Sequence, residues 1–172
     1  MQGLFKSFIY IYDLFITNKK LVTLSNVFKE CISLIEIPRT LFIYNLSLNT
    51  ITGVFEGCTN IKEINSDIFL NLKNLITLSA CFKNSGLKRI NLKREGLISS
   101  IHRRGSLNID SLFYGCSRLK IGYYDLYKQS FDILPSAISA NYFMYRDTFT
   151  GSEASTLPPL WDLSYFGNNH MI

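Results

Sequence analysis

The sequence predicts an α/β solenoid of about five to six coils, with short parallel strands on one face and short helices and turns on the other. Three observations lead there. Phe28 recurs as Phe55 and Phe82, a step of 27 each time. Many other positions keep that step: Leu24, Ile51 and Leu78; Leu48 and Leu75; Leu41-Phe42 and Ile68-Phe69; Leu34 and Ile61; Cys31, Cys58 and Ser85. Almost every repeating position is apolar. A unit of this length cannot bury an apolar face alone, so each coil must bury it against its neighbours. The exposed backbone edge of each coil then pairs with the next, in parallel, through a right-handed crossover.

All 172 residues read as one domain. Residues 1–23 form a degenerate first coil, in which Leu14, Phe15, Asn18 and Leu21 match but the Phe-x-x-Cys portion is missing. Residues 24–50 are the clearest coil. Its Leu34–Ile37 run is β-branched and reads as the strand. Pro38 removes a donor and ends it, and the segment from Pro38 to Phe42 suits a short helix with Pro in its first turn. Val54-Phe55 opens a helical turn that Gly57 ends. In the coil 51–77, Asn65 replaces Pro38, and Ser66 or Asp67 can cap a helix over Asp67–Leu72. The coil 78–108 starts on register, but Leu87 and Ile90 come one residue early, and Gly86 is the natural place for the tighter turn. Phe82 to Phe113 is then 31, with the excess in Asn91–Ser106, an insertion on one face. Residues 109–144 restart with Ile109, Phe113, Cys116 and Leu119, and 145–172 form a last degenerate coil.

The unit Phe28-x-x-Cys31-x-x-Leu34-x-x-Ile37-Pro38-x-x-Leu41-Phe42-x-x-Asn45-x-x-Leu48-x-x-Ile51 resembles the BspA-like leucine-rich repeats, whose hallmark is a Phe-x-x-Cys-x-x-Leu-x-x-Ile run. The stretches VFKECISLIEIP, VFEGCTNIKEIN and LFYGCSRLKIGY carry the likeness, which is specific over about residues 14–121. The later YFMYRDTFTGSEASTLPPLWD looks like the same repeat with its Cys and Leu positions eroded. The resemblance implies a leucine-rich-repeat solenoid. It also implies recognition or adhesion rather than catalysis, because such repeats occur in bacterial surface proteins, some protists and tailed phages.

Composition narrows the class. Apolar residues at 47% and aromatics at 14% suffice for a core and exclude disorder. The formal charge of +5 is concentrated: from Lys83 to Arg104, seven basic residues face the single Glu95, a net +6 that leaves −1 for the remainder. Cys31, Cys58 and Cys116 share one repeat position, three after the Phe, so a column of buried, reduced thiols is expected. A bridge between stacked cysteines is the alternative, since neighbouring coils lie about 4.8 Å apart. No Cys-x-x-Cys pair suggests a zinc ribbon. The apolar start of the chain has no basic lead and is interrupted by Asp13, so it reads as repeat rather than signal peptide. No run approaches the ~20 residues needed to span a membrane. Both ends fall within coils, so the terminal coils are expected to meet a partner, to self-associate or to continue a longer array.

The expected ligand-binding positions face outward on the strands: Ile35 and Glu36, then Lys62 and Glu63, then Lys88 and Arg89. They are joined by Lys93, Arg94, Arg103 and Arg104 of the basic insertion. Cross-strand charge pairing on a wet sheet explains the first six equally well, and a solvated loop explains the last four. Tyr123, Tyr124, Tyr142 and Tyr145 are a second candidate surface, with core packing as the plainer reading. Glu36 and Glu63 are the only repeat-aligned carboxylates, but no pocket accompanies them. His102 and His170 have no partner at metal-ligand spacing. No phosphate loop, dinucleotide fingerprint or nucleophile elbow appears. Asn45-Leu-Ser47 fits a glycosylation acceptor at a repeat position. The function expected is therefore a non-catalytic recognition or adhesion module without cofactor or metal, on a bacterial surface or phage virion, binding a protein or glycan. An intracellular protein-binding scaffold is the alternative, favoured by unpaired thiols. Nucleic-acid binding rests on segment 83–104 alone, which lacks the interleaved aromatics of a single-strand binder.

Overall fold

A backbone that returns to the same place every 27 residues must satisfy its N–H and C=O groups from the coils on either side. It does so in two short parallel ladders. The computed structural model describes residues 9–91, 107–119 and 143–144. Its strands are β1 (Thr23–Ser25), β2 (Thr50–Thr52), β3 (Glu63–Asn65), β4 (Arg89–Asn91), β5 (Leu107–Asn108) and β6 (Phe143–Met144), with a 3-10 turn at Ser66–Phe69. The first ladder pairs β1 with β2 in parallel, Leu24 opposite Ile51. It continues through bridges from Thr50 to Thr77 and from Thr77 to Asn108, and ends with β5 against β6. The second ladder pairs β3 with β4, Glu63 opposite Arg89 and Asn65 opposite Asn91.

The pairing does not stop where the strands do. Asn26, Phe28 and Glu30 donate to the carbonyls of Thr52, Val54 and Glu56 at 2.9, 3.0 and 2.6 Å. Gly53, Phe55 and Gly57 donate likewise to Ser79, Cys81 and Lys83, and Ala80, Phe82 and Asn84 to Asp110, Leu112 and Tyr114. Each of these turns holds two left-handed residues four apart: Asn26 and Glu30, Gly53 and Gly57, Ala80 and Asn84, Ser111 and Gly115. The paired left-handed residues let the chain turn while alternate N–H groups still face the next coil.

The repeat of 27 is the spacing of a stack of rings. Phe28, Phe55, Phe82 and Phe113 are buried, with successive centroids 5.5, 5.5 and 5.8 Å apart and planes within 10° of parallel. A second stack runs through Phe15, Phe42 and Phe69 at 6.1 and 6.0 Å. Tilted contacts between Phe15 and Phe28 and between Phe69 and Phe82 join the two. Offset-stacked rings add about 0.5–1.5 kcal/mol per pair beyond area burial. The stack continues at 5.8 Å across the longer step from Phe82 to Phe113. The insertion expected over Asn91–Ser106 lies, from residue 92 on, outside the described residues.

Several local expectations change. The sequence reading has one strand per coil, stacked into a single parallel sheet, with Leu34–Ile37 as its clearest strand. The structure has two ladders, and Leu34–Ile37 is in neither. The equivalent of Asn65 one coil earlier is Pro38, which has no N–H to give to a ladder three residues long. The stretch keeps a single long contact, Ile35 N–H to Ile9 C=O at 3.4 Å. No α-helix occurs among the described residues. Residues 38–48, expected to start with a helix, make successive i to i+3 turns instead: Leu41 to Pro38, Ile43 to Thr40, Asn45 to Phe42 and Leu48 to Asn45. The 3-10-type rise of about 2.0 Å per residue covers more of a coil's perimeter than the ~1.5 Å of an α-helix. The helix expected over Asp67–Leu72 is likewise the 3-10 turn Ser66–Phe69, with Asn65 at its N-cap making no side-chain cap bond. Of the expected degenerate coils, the one at 145–172 and most of 109–144 lie outside the described residues.

The four cysteines are free and buried. Cys58 and Cys116 donate their Sγ–H to the carbonyls of Phe28 and Phe82, one coil back, at 3.0 and 2.9 Å. Ser85 occupies the same column and meets Cys116 at 3.3 Å. Cys81 instead takes the place of Val54 one coil on. Burial pushes the Cys58 thiol from 9.0 up to about 12, and raises Cys81 and Cys116 as well. A thiol harder to ionise when folded stabilises fully below its unfolded value and loses that contribution as pH climbs toward the folded one. We expect a flat unfolding midpoint through neutral pH and a decline beginning above pH 9.0. We also expect four thiols to react in denaturant and to react slowly without it. Rapid native labelling, or two thiols in denaturant, would contradict the buried column.

A candidate recognition face

Two faces of the coils present side chains to solvent, and their chemistry differs. From Thr23 to Asp110 the first ladder shows mainly short polar residues, Thr23, Ser25, Thr50, Thr52, Thr77, Ser79, Asn108 and Asp110, with Val22 and Ile76 exposed at its edge. Many of their polar groups are engaged locally. Thr50 donates to Asn49 Oδ1 at 2.8 Å, Ser79 Oγ to the Asp110 carbonyl at 3.1 Å, and Asn108 Oδ1 accepts from Asp110 N–H at 2.8 Å. Small hydroxyls already bonded to neighbours dress a sheet without offering a distinct contact.

The second face is built on β3, β4 and the residues one and two coils before them. Lys88 N–H donates to Lys62 C=O at 2.8 Å, which places Lys62 and Lys88 in one column. The contact from Ile35 to Ile9, and the step of 27 from Ile35 to Lys62, extend that column backward. Beside it run Tyr10, Glu36, Glu63 and Arg89. The six expected positions in the strands thus share a face. Glu63 and Arg89 form an ion pair, but both are well exposed, so the pair is worth only about 0–1 kcal/mol. Glu36 turns toward the earlier coil and accepts the Tyr12 hydroxyl at 2.9 Å. That hydrogen bond holds the Tyr12 phenol above its ordinary value. Lys62 donates to the Thr59 carbonyl at 2.8 Å. Partial burial, and then the neighbouring cations Arg118 and Lys88, lower its ammonium below the ordinary value.

The described part of the basic segment is divided between two places. Lys83 lies on the Phe turn, its Nζ 5.1 Å from the Tyr114 ring, above the Lys29–Glu56 pair at 3.1 Å on the same turn. Lys88 and Arg89 belong to the second ladder. Lys93, Arg94, Arg103 and Arg104 lie outside the described residues, as do His102, His170, Tyr123, Tyr124, Tyr142 and Tyr145.

The sequence reading missed Ile9, Tyr10, Tyr12 and Arg118. The ring centroids of Tyr10 and Tyr12 are 5.9 Å apart, tilted by 26°, and the two residues are 53% and 54% exposed. Their signal was the Ile-Tyr-Ile-Tyr alternation at residues 9–12, hidden because the first coil lacks the Phe and Cys that fix the register. Asn45 is not available as a glycosylation acceptor in the fold: it is fully buried, and its amide donates to the carbonyls of Phe15 and Asn18 at 3.0 and 2.9 Å.

Among the described residues no group of three metal-capable side chains occurs, and no helix is long and apolar enough to cross a membrane. No protein-family model, curated protein or solved structure matches the chain.

Proposed function

We propose that this chain is a non-catalytic recognition module, a leucine-rich-repeat-type solenoid whose second-ladder face meets a protein or glycan. One observation carries the reading: a regular core of stacked rings supports an irregular row of Tyr10, Tyr12, Ile35, Glu36, Lys88 and Arg89, all exposed, with the half-buried Lys62 among them. Repetition inside serves packing. Variety outside, on side chains that the core does not need, is what a specific surface requires. The BspA-like resemblance favours a bacterial surface or a phage virion as the setting. The four free thiols favour a second setting, a protein-binding scaffold inside the cell.

The test is a protein and glycan array probed with the wild-type chain and with the variant Tyr12→Ala/Glu36→Ala/Arg89→Ala. The variant is expected to unfold within about 0.5 kcal/mol per substitution of wild type, as exposed sites do, and to lose the wild-type signals. Signals that survive in the folded variant would remove this face from recognition.

A further inference from the structure

Two like charges are stacked at one end of the candidate face. Lys62 and Lys88 are held in adjacent coils by the backbone contact between them. Like charges directly opposite each other destabilise a sheet. Neither Lys62 nor Lys88 forms an ion pair with a carboxylate among the described residues. At the other end of the face, Tyr10 and Tyr12 present a paired ring surface, flanked by the half-exposed Ile9 and Ile35. The hydrogen bond from Tyr12 to Glu36 holds that platform. Tyrosines offer a large amphipathic contact at low entropic cost. The two ends lie along the coil axis, so a single extended ligand can touch both.

Resting on the recognition reading above, we propose that the ligand is an acidic polysaccharide laid along the coil axis, with sugar rings on Tyr10 and Tyr12 and its carboxylate or sulfate groups on Lys62 and Lys88. A neutral glycan would use the platform and leave the cations unmatched. A nucleic acid carries a negative charge on every nucleotide and would meet Glu36, which lies between the platform and the cations. Sugar hydroxyls, by contrast, donate to carboxylates. A polymer whose charges are separated by hydroxyl-rich rings matches the face along its length.

The full-length chain is titrated with polygalacturonate, dextran sulfate, neutral dextran and single-stranded DNA over a range of salt. Binding is expected to one of the two acidic polysaccharides, the preference telling carboxylate from sulfate, with neutral dextran at least about tenfold weaker. Affinity should fall steeply with salt. Lys62→Ser/Lys88→Ser should weaken binding by about tenfold or more and flatten the salt dependence, because fewer counterions are released. Tyr12→Ala should weaken binding and leave the salt dependence unchanged. Circular dichroism checks the fold of each variant, and Lys88→Gln alone replaces the double variant if that fails to fold. DNA binding tighter than either acidic polysaccharide overturns the proposal in favour of a nucleic acid, and dextran binding of equal strength overturns it in favour of a neutral glycan. Absence of polyanion binding also overturns it. In that case the recognition reading survives if array partners still depend on Tyr12 and Arg89, and falls if they do not.

Discussion

Phe55→Ala is expected to cost about 3–5 kcal/mol, the usual loss when a buried Phe is truncated. Phe55 is fully buried and stacked on Phe28 and Phe82, each 5.5 Å away. Removing the ring opens a cavity between two coils that cannot close, because the backbone on either side is fixed. Phe55 N–H donates to Cys81 C=O at 2.8 Å, and Phe28 N–H to Val54 C=O at 3.0 Å. Stability in a stacked array is carried by the interfaces between neighbours, and this ring belongs to two of them. Phe15→Ala, at a partly buried position at the start of the other stack, should cost less. Equilibrium unfolding in urea measures both. A loss for Phe55→Ala within the ~0.5 kcal/mol of an exposed site would show that the ring is not in a core.

The core was legible in the sequence because burial repeats with residue identity. Phe28, Phe55, Phe82 and Phe113, or Leu24, Ile51 and Leu78, announce their position by type, and a step of 27 needs no knowledge of backbone geometry. The ladders were not legible. Strands of two or three residues are too short to alternate, so Thr23–Ser25 and Thr50–Thr52 leave no period-two signature. Pro38 stands next to the most strand-like run and removes the donor that its ladder would need. The left-handed turns were visible only where Gly53, Gly57 and Gly115 mark them. Glu30 and Ala80 adopt the same backbone and give no sign of it, because the inter-coil hydrogen bonds impose that conformation.

The candidate site was half legible for a related reason. Ile35, Glu36, Lys62, Glu63, Lys88 and Arg89 follow from register, since they flank the repeating apolar residues. Tyr10 and Tyr12 belong to a coil whose register markers are missing, so the same argument could not reach them. Their place on the face emerges only from the contacts of Ile9 with Ile35 and of Tyr12 with Glu36.

Gly86→Ala is the second substitution expected to have a large effect. Gly86 does not need a left-handed backbone. It is glycine because the previous coil passes against it. A Cβ there would overlap the carbonyl oxygen of Thr59, lie 2.6 Å from that carbonyl's carbon and 3.0 Å from the oxygen of Ile61. These are backbone atoms, which cannot swing aside as a side chain can. Gly53→Ala makes the contrast. There the backbone is left-handed, at a φ of +58°, but the added carbon would meet only the ends of the Asn26 and Glu56 side chains, so about 1–2 kcal/mol covers the strain. For Gly86→Ala we expect about 3 kcal/mol, the upper end of the overpacking range. The damage should be local. Gly86 N–H bonds to Cys58 C=O at 3.2 Å, and two residues on Lys88 N–H bonds to Lys62 C=O, so pushing the coils apart at Gly86 strains the second ladder first. Amide exchange at Lys88 should accelerate, while Phe28 and Phe55 in the Phe turns remain slow. The same displacement should weaken any ligand that needs Lys62 and Lys88 in register. A Gly86→Ala chain as stable as wild type, with unchanged exchange at Lys88, would mean that the coils do not meet at this point.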